Sequence, residues 1–580
     1  MNRHRPRIQG MPILHSLARS VGLPLALALG GCSLGASPAP APLEVNLAVI
    51  NDLHGHVRSG PFSYRLPAGG EITLAAGGID ALSGVLAELR RQDPELLFVA
   101  AGDLIGGSPP LSGLWADEPT LEALNLMGLD VSAVGNHELD NGRQELLRQI
   151  HGGCASPRPD KACRFDGRHR GTRFPYIAAN LIDSASGQPL FAPYHIEEVR
   201  GLKIAFVGAV TADLPYLVPR SSMQGLHTLD EAEAINAQIP ALERHGVDAI
   251  IAVVHSGGRT AAAFDRPDCN NLSGDIVGVA RRLDSRIGLL ISAHTHEGYL
   301  CRVGSLPVTQ AASYGRLLTH LTLRIDPVSR RVLGVEARNL VVDPQRYPGS
   351  AEVTALKQAI EQRGRETLER PMARLGAKRV PRRPDAAGES PMGDLVADAQ
   401  LAATRHLGAR AALTNLGGIR GELALEPGQS QVSFGQLVTA QPFDNHLVVL
   451  SLSGAQLREL LEQQWHDGAF RPLQVSASLS YRWDASRPPG QRVLPGSLRI
   501  DGRPVRDQES YRITVNSFLA GGGDHFEVLT RGAERLDTHL RDRQALIDYL
   551  QAHDRGGEPA GRSESARRIG RADAAVATGR

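Results

Sequence analysis

The stretch Val131-Ser-Ala-Val-Gly-Asn-His-Glu-Leu-Asp-Asn-Gly142 runs from a short apolar strand pattern straight into a polar cluster. Asn136 is followed at once by His137, and Asp140 stands one helical turn further on. If a helix begins near Glu138, the His137 and Asp140 side chains share one side of that turn, where a carboxylate can fix the imidazole's tautomer and orientation. A helix start capped by Asn136 or Asp140 would use the same residues, so the stretch alone leaves both readings open. The pattern recurs, however. Leu43 to Asn51 ends in Asp52-Leu-His54, Leu96 to Ala101 in Gly102-Asp103, Ala249 to Val254 in His255, and Ile287 to Ser292 in Ala293-His294-Thr-His296. A lone His or Asp at a strand end is most often a cap, but five apolar runs that stop in this way form a set. Asp52, His54, Asp103, Asn136, His255, His294 and His296 combine imidazole nitrogens with carboxylate and amide oxygens, which suits Zn²⁺ or Mn²⁺ better than Ca²⁺. Seven donors are too many for one tetrahedral ion and about right for two ions sharing a carboxylate. Such a pair can hold a bridging hydroxide and clamp both ends of an in-line displacement at phosphorus.

Bringing these donors together requires strands whose carboxyl ends meet. Helical patterns over Gly78 to Arg91, Thr120 to Met127, Glu231 to Glu243 and Asp275 to Leu283 separate most of the apolar runs. Alternating strands and helices imply an α/β fold whose right-handed crossovers gather strand carboxyl ends on one edge, where ligands bind. Strands continue through Leu317 to Ile325 and Gly334 to Val341, and Ala351 to Glu369 has the long, charged periodicity of a connector helix. A second domain starts near Pro371. Its landmarks are turns: Gly388-Glu-Ser-Pro-Met-Gly, Asn415-Leu-Gly-Gly-Ile-Arg420, Gln441-Pro-Phe-Asp-Asn445 and Asn516-Ser-Phe-Leu-Ala-Gly-Gly-Gly-Asp524. Gly106-Gly107-Ser108 and Gly521-Gly-Gly523 lack the Lys and Ser/Thr of a phosphate-binding P-loop and read as close-approach turns. The tail after about His553 is polar and expected to be disordered.

The chain has 580 residues, 42% hydrophobic and 22% charged, enough for two domains. Its 63 basic and 62 acidic side chains leave a net charge of +1, which argues against nucleic acid as the main partner and for a small-molecule substrate. Arg3, Arg5 and Arg7 precede the apolar run Val21 to Leu29 and then Gly-Gly-Cys32, which reads as an export signal. Small residues before a cysteine resemble the bacterial lipobox, in which Cys32 would be lipidated, although an ordinary signal cut elsewhere would use similar letters. Ser33 after that cysteine resembles sorting to the outer membrane. Export permits disulfides. Of the three pairings open to Cys154, Cys163, Cys269 and Cys301, Cys154 with Cys163 and Cys269 with Cys301 are favoured because each closes a local loop.

The motifs Asp52-x-His54, Gly102-Asp103, Gly135-Asn-His-Glu138, His255 and His294-Thr-His296 resemble the calcineurin-like metallophosphoesterases. Asp140 and the second-domain motifs resemble their secreted 5′-nucleotidase and UDP-sugar hydrolase branch. The resemblance implies an α/β/β/α-layered metallophosphoesterase domain, a connector helix and a smaller α/β substrate domain. The expected boundaries are 1–32 signal, 33–43 tether, 44–342 phosphoesterase, 343–370 linker, 371–552 nucleotide-binding domain and 553–580 tail. It further implies one metal on Asp52, His54, Asp103 and His296 and another on Asp103, Asn136, His255 and His294. The ions would be Zn²⁺ or Mn²⁺, with Mg²⁺, Co²⁺ or Ca²⁺ as in-vitro substitutes. His137 would act on the transferring phosphoryl group, oriented by Asp140. Phe443 and Phe518 would stack a nucleobase, Asp524 would hold ribose hydroxyls, and Asn415 and Arg420 would complete the pocket. Where relatives carry a further substrate arginine this chain has Gly388, with Arg382 or Arg383 as candidate replacements. The activity implied is extracytoplasmic hydrolysis of nucleoside monophosphates by a monomer held to the membrane through its lipid alone. The alternatives are UDP-sugar or 2′,3′-cyclic nucleotide hydrolysis on the same site and, from another class, a nucleotide-binding surface lipoprotein without turnover.

Overall fold

Leu43–Ile50 alternates only at its start, and over its second half both faces are apolar: Val45, Leu47 and Val49 point into one core and Ala48 and Ile50 into another. A strand with no solvent face belongs between two covering layers, and that is its position in the computed structural model. The structure describes residues 41–65, 70–466, 468–561 and 567–572. Cys32, the expected signal and most of the expected tether lie outside them. Among the described residues no helix is long and apolar enough to cross a membrane.

Two six-stranded mixed sheets form the first half. In one, Leu43–Ile50 is central, parallel to Leu97–Ala100, which is followed by Val131–Ala133 and Tyr176–Ile177, and antiparallel to Leu317–Ile325, which pairs with Val332–Val341. In the other, Leu202–Val210, Ala249–His255, Ile287–Ser292 and Leu306–Ala311 run parallel, flanked by antiparallel edge strands. The inner faces meet in a core containing Leu47, Val99, Phe206, Ile251 and Ile291. The outer face of the first sheet is covered by Ile79–Gln92 and Glu118–Met127, and that of the second by Glu231–Asn236, Ile239–His245 and Asp275–Arg282. This is the expected α/β/β/α layering.

Ala351–Leu368, capped by the Ser350 side chain at the Val353 N–H, packs on Ile79–Gln92 and Glu118–Met127, with Lys357 Nζ 2.8 Å from Asp80. Beyond it a five-stranded sheet has the order Leu473–Val475, Ala411–Asn415, Ser510–Asn516, His446–Ser453, Ala533–Arg541. Pro391–Thr404 and Asp542–Arg555 pack together beside it. Both halves lie within one compact unit, Pro42–Arg580.

Three expectations need correction. The helix expected over Glu231 to Glu243 is two helices, because Pro240 has no N–H for the preceding turn and can only stand in the first turn of a new helix. The turn at His137 is a short 3₁₀ segment, His137–Leu139, ahead of the α-helix Gly142–His151. The expected disordered tail contains order: Ile569–Arg571 is a strand parallel to Leu479–Trp483. Arg568 anchors it, pairing both guanidinium nitrogens with Asp398 at 3.0 and 2.7 Å, while the Arg568 and Ile569 N–H groups donate to Glu389. A polar tail can dock when acids await it, and composition does not show them.

Candidate active site

The five apolar runs end at one place. Asp52, His54, Asp103, His294 and His296 all have left-handed backbone, with φ of 50°, 45°, 51°, 73° and 60°. That region is uncommon for residues with a Cβ, and holding five there requires surrounding structure that over-determines them. The over-determination is visible. Asp52, His54 and Gly55 donate their N–H groups to the carbonyls of Gly102, Asp103 and Leu104, lacing the first two loops together. The Asp52 carboxylate accepts from the His294 N–H at 3.0 Å and from Asn51 Nδ2 at 2.7 Å, tying the first sheet to the second.

The donor atoms converge. His54 Nε2 lies 3.1 Å from His296 Nε2 and 3.6 Å from Asp103 Oδ2, and His296 Nε2 lies 3.4 Å from Asp52 Oδ1. His255 Nε2 is 3.1 Å from both Asp103 Oδ2 and Asn136 Oδ1, and Asp103, His255 and His294 form a second ligand-like group. His54 Nδ1 donates to the Gly106 carbonyl and His255 Nδ1 to the Ala101 carbonyl, each at 2.8 Å. Committing Nδ1 in this way leaves the Nε2 lone pairs facing inward, the tautomer a metal ligand needs. Two imidazole nitrogens facing each other at 3.1 Å, ringed by buried carboxylates, are the donor set of a divalent cation site. The residues present therefore fit a pair of divalent ions with Asp103 between the two groups.

The buried charges of the cleft act strongly on one another. Burial disfavours charge on Asp103, but the neighbouring histidines, His255 foremost, hold its carboxyl well below its ordinary value. Burial likewise opposes a charged His255, and the Asp103 carboxylate outweighs it, pushing His255 up to about 10, so that Nε2 holds a proton toward Asp103 which a bound ion would displace. Burial pushes His294 down to about 4.

His137 faces this cluster, its ring centroid 4.9 Å from that of His54 and its N–H donating to Asp103 Oδ1 at 2.8 Å. Its Nδ1 is 2.9 Å from each Asp140 oxygen, and Asp140 is held in turn by the Gly107 N–H. Gly106 lets the chain pass here: φ is 83°, and a Cβ would stand 2.2 Å from the His137 carbonyl oxygen. From the second half, Arg420 Nη2 reaches His137 Nε2 at 2.7 Å, and Phe443 lies nearly parallel to the His137 ring at 5.7 Å. Arg420 ends the turn that Asn415 begins. At that other end Asn415 Nδ2 donates to Asp524 Oδ2 at 2.7 Å, next to Phe518, whose ring packs over Gly523. One loop thus spans from the His137 cluster to the Asp524 cluster.

Known families match both halves. The calcineurin-like phosphoesterase family matches residues 45–298, and the 5′-nucleotidase C-terminal domain matches residues 367–531. The chain belongs to the 5′-nucleotidase family of metal-dependent phosphoester hydrolases. It is similar to endonuclease YhcR of Bacillus subtilis, 29% identical over 522 residues, covering 89% of this chain and 40% of that protein. It thus spans less than half of that relative. It is also similar to the 5′-nucleotidase of Vibrio cholerae, 24% identical over 569 residues, covering 90% of this chain and 94% of that protein. The crystal structure of the 5′-nucleotidase precursor from Thermus thermophilus shares the fold, with a TM-score of 0.71, 24% identity, and coverage of 91% of this chain and 99% of that one.

In this 5′-nucleotidase-family protein the sequence reading passed over Glu138, although it stands inside the Gly135-Asn-His-Glu motif. Buried, Glu138 accepts three backbone N–H bonds, from Asp103 and Leu104 at 2.8 Å and Gly135 at 2.7 Å, and so clamps two ligand loops together. Burial and the Asp103 charge push it up to about 7. Tyr314 was missed as well: it packs edge-on against His54 and His296, and its N–H donates to the Asp52 carbonyl at 2.7 Å. Gly388 has φ of 93°, and a Cβ there would meet Phe470 and Pro472 at 2.9 Å, so no arginine fits this backbone. Arg382 holds the Asn415–Arg420 loop by donating to the Ile419 and Leu416 carbonyls, whereas Arg383 is exposed and reaches neither. The nucleotidase-family chain carries both favoured disulfides, Cys154–Cys163 and Cys269–Cys301.

Proposed function

We propose that this protein hydrolyses nucleoside 5′-monophosphates to nucleoside and phosphate. The observation that carries the reading is the Asn415–Arg420 loop, with one end at the Asp524 carboxylate and the other at His137 Nε2. A nucleotide has the matching asymmetry, with ribose hydroxyls at one end and a phosphate at the other.

Asp52, His54, Asp103 and His296 would hold one divalent ion, and Asp103, Asn136, His255 and His294 the other, with Zn²⁺ or Mn²⁺ the ions best suited to these donors. When bound, such a pair supplies an activated water and neutralises phosphoryl charge. The remaining roles belong to side chains. Asp140 fixes the His137 ring so that Nε2 faces the transferring phosphoryl group, where it stabilises charge or passes a proton to the leaving oxygen. Arg420 pairs with the phosphate oxygens. Phe443 and Phe518 stack the base, worth about 1–3 kcal/mol and tolerant of base identity. Asp524 and Asn415 bind the ribose.

Export with lipid attachment at Cys32, sorting to the outer membrane and a monomeric state belong to the same reading, as do the domain limits 44–342 and 371–552. Globomycin-sensitive processing and loss of membrane association in Cys32→Ala test the anchor.

Purified protein with Mn²⁺ or Zn²⁺ should release phosphate from AMP and lose that activity on chelation. A panel of AMP, UDP-glucose and 2′,3′-cyclic AMP ranks the substrates by kcat/KM. No phosphate release from AMP with any divalent ion defeats the reading, and a higher kcat/KM for either other compound replaces it. His137→Ala should lower kcat roughly 10²–10⁴-fold while the metal content is retained.

A further inference from the structure

The edge strand Ala533–Arg541 is tied to its neighbour by polar bonds, among them Ser451 Oγ to Glu534 and Thr538 Oγ1 to the Leu447 carbonyl, each at 2.8 Å. Eight of its nine residues are exposed, and its register against His446–Ser453 breaks twice. Leu536 and Leu540 are each 41% exposed, so hydrophobic burial contributes little. Irregular, exposed edges of this kind leave room for polar side chains of the two strands to meet.

Three side chains converge across that pair of strands. His446 Nδ1 lies 3.4 Å from Asp537 Oδ2, and His539 Nδ1 lies 3.7 Å from Asp537 Oδ1. The two imidazole rings are 5.3 Å apart at 82°, and the donor atoms all fall within 4.8 Å of one another. Regular strand geometry does not produce this. Residues two apart in an extended strand are separated by roughly 6.5 Å along the chain. A left-handed turn at His539, φ 56°, and the register break beside His446 bring the three together. Ligands at about 2.0–2.1 Å from a tetrahedral ion lie roughly 3.3 Å apart. The separations here are close to that value and to the 3.1–3.6 Å found between donors in the cleft. The nearby cations are engaged elsewhere: Arg541 donates to the Asp444 carbonyl, and Arg543 pairs with the Asp444 carboxylate.

We propose that His446, Asp537 and His539 form a separate binding site for a divalent transition-metal ion, of the zinc, nickel or copper class, that pins the edge strand to its neighbour. Two imidazoles and one carboxylate disfavour Ca²⁺ and Mg²⁺, which prefer oxygen shells. Three protein ligands leave a position for water, and the exposure of the site makes its binding reversible.

The test uses the full chain with the cleft intact. Equilibrium dialysis against Zn²⁺ should show one ion fewer per chain in His446→Gln/His539→Gln than in the wild type, and likewise in Asp537→Asn. These side chains are on the surface, so circular dichroism should show an unchanged fold. Hydrogen exchange of the 533–541 amides gives a second readout. With free Zn²⁺ at 100 times the dissociation constant, exchange in the wild-type strand should slow about 100-fold, because opening must release the ion. The variants should show no such slowing. Equal ion counts in wild type and variants, or exchange of this strand that ignores the metal, overturns the proposal. Both readouts are independent of whether the cleft hydrolyses nucleotides.

Discussion

Arg420 Nη2 lies 2.7 Å from His137 Nε2, joining two residues 283 positions apart in the chain. A guanidinium only donates, so His137 Nε2 accepts here, and the ring proton sits on Nδ1 between the two Asp140 oxygens. Burial opposes an imidazolium at His137, but the Asp140 and Asp103 carboxylates outweigh it and raise the pKa, while Arg420 works against them. Protonation at Nε2 and the Arg420 contact therefore exclude one another.

Arg420→Ala should raise the His137 pKa further, since it removes a cation that opposes the imidazolium. The ring ¹⁵N signals of ¹⁵N-histidine-labelled, Zn²⁺-loaded protein, assigned by loss in His137→Ala, report the titration. An unchanged or lowered midpoint would contradict the electrostatic coupling.

Glu138→Gln should weaken metal binding roughly 10–100-fold without touching a ligand. The amide presents one acceptor where the carboxylate presents two, so an N–H from Asp103, Leu104 or Gly135 loses its partner, at a cost of about 1–3 kcal/mol in stability. Competition with a chelator of known affinity measures the first effect and urea unfolding the second. Unaltered affinity would mean that the loops are held by other bonds.

Asp542 supplies a pH dependence away from the cleft. Burial pushes it up to about 7, against the opposing Arg543 N–H bond and charge. Between about pH 4 and 7 the unfolded chain gives up a proton that the folded chain keeps, so stability falls as pH rises through that window. At about 1.4 kcal/mol per pKa unit the loss is of order 4 kcal/mol. Asp542→Asn keeps a neutral acceptor for the Arg543 N–H and should flatten this slope. Urea midpoints of the two proteins from about pH 4.5 to 7.5 should diverge with rising pH, and parallel curves would rule the effect out.

Arg568→Ala removes the guanidinium that pairs with Asp398 and lies beside the buried Asp394. Breaking a buried pair on one side costs about 3–5 kcal/mol, so the variant should unfold at lower denaturant. Its residues 567–572 should also become accessible to proteolysis. A stable variant with a protected tail would show that the Ile569–Arg571 strand pairing and the backbone bonds to Glu389 suffice.

The phosphoesterase half was legible because its signals are local and repeated. Leu96 to Ala101 reads as a buried strand and Ala249 to Val254 as an apolar run, and the ligands follow directly because the backbone must turn where the strand stops. The second half was less legible. Asn415, Arg420, Phe443 and Asp524 were singled out through the family resemblance of the turns that carry them, but the direction each side chain faces is not a property of its own turn. Glu138 was overlooked because a carboxylate that binds backbone N–H groups has no sequence spacing of its own: its partners are set by which loops meet.

Residue type, periodicity and spacing determined most of the strand and helix types and the ligand chemistry, and favoured the disulfide pairs, since each depends on residues close in the chain or on the kinds of atoms offered. Only the tertiary structure decided that Arg420 would meet His137, that Gly388 would leave no room for an arginine, that a polar tail would dock on Glu389 and Asp398, and that His446, Asp537 and His539 would face one another. Those outcomes depend on distances between atoms brought together by packing, and packing is a property of the whole fold.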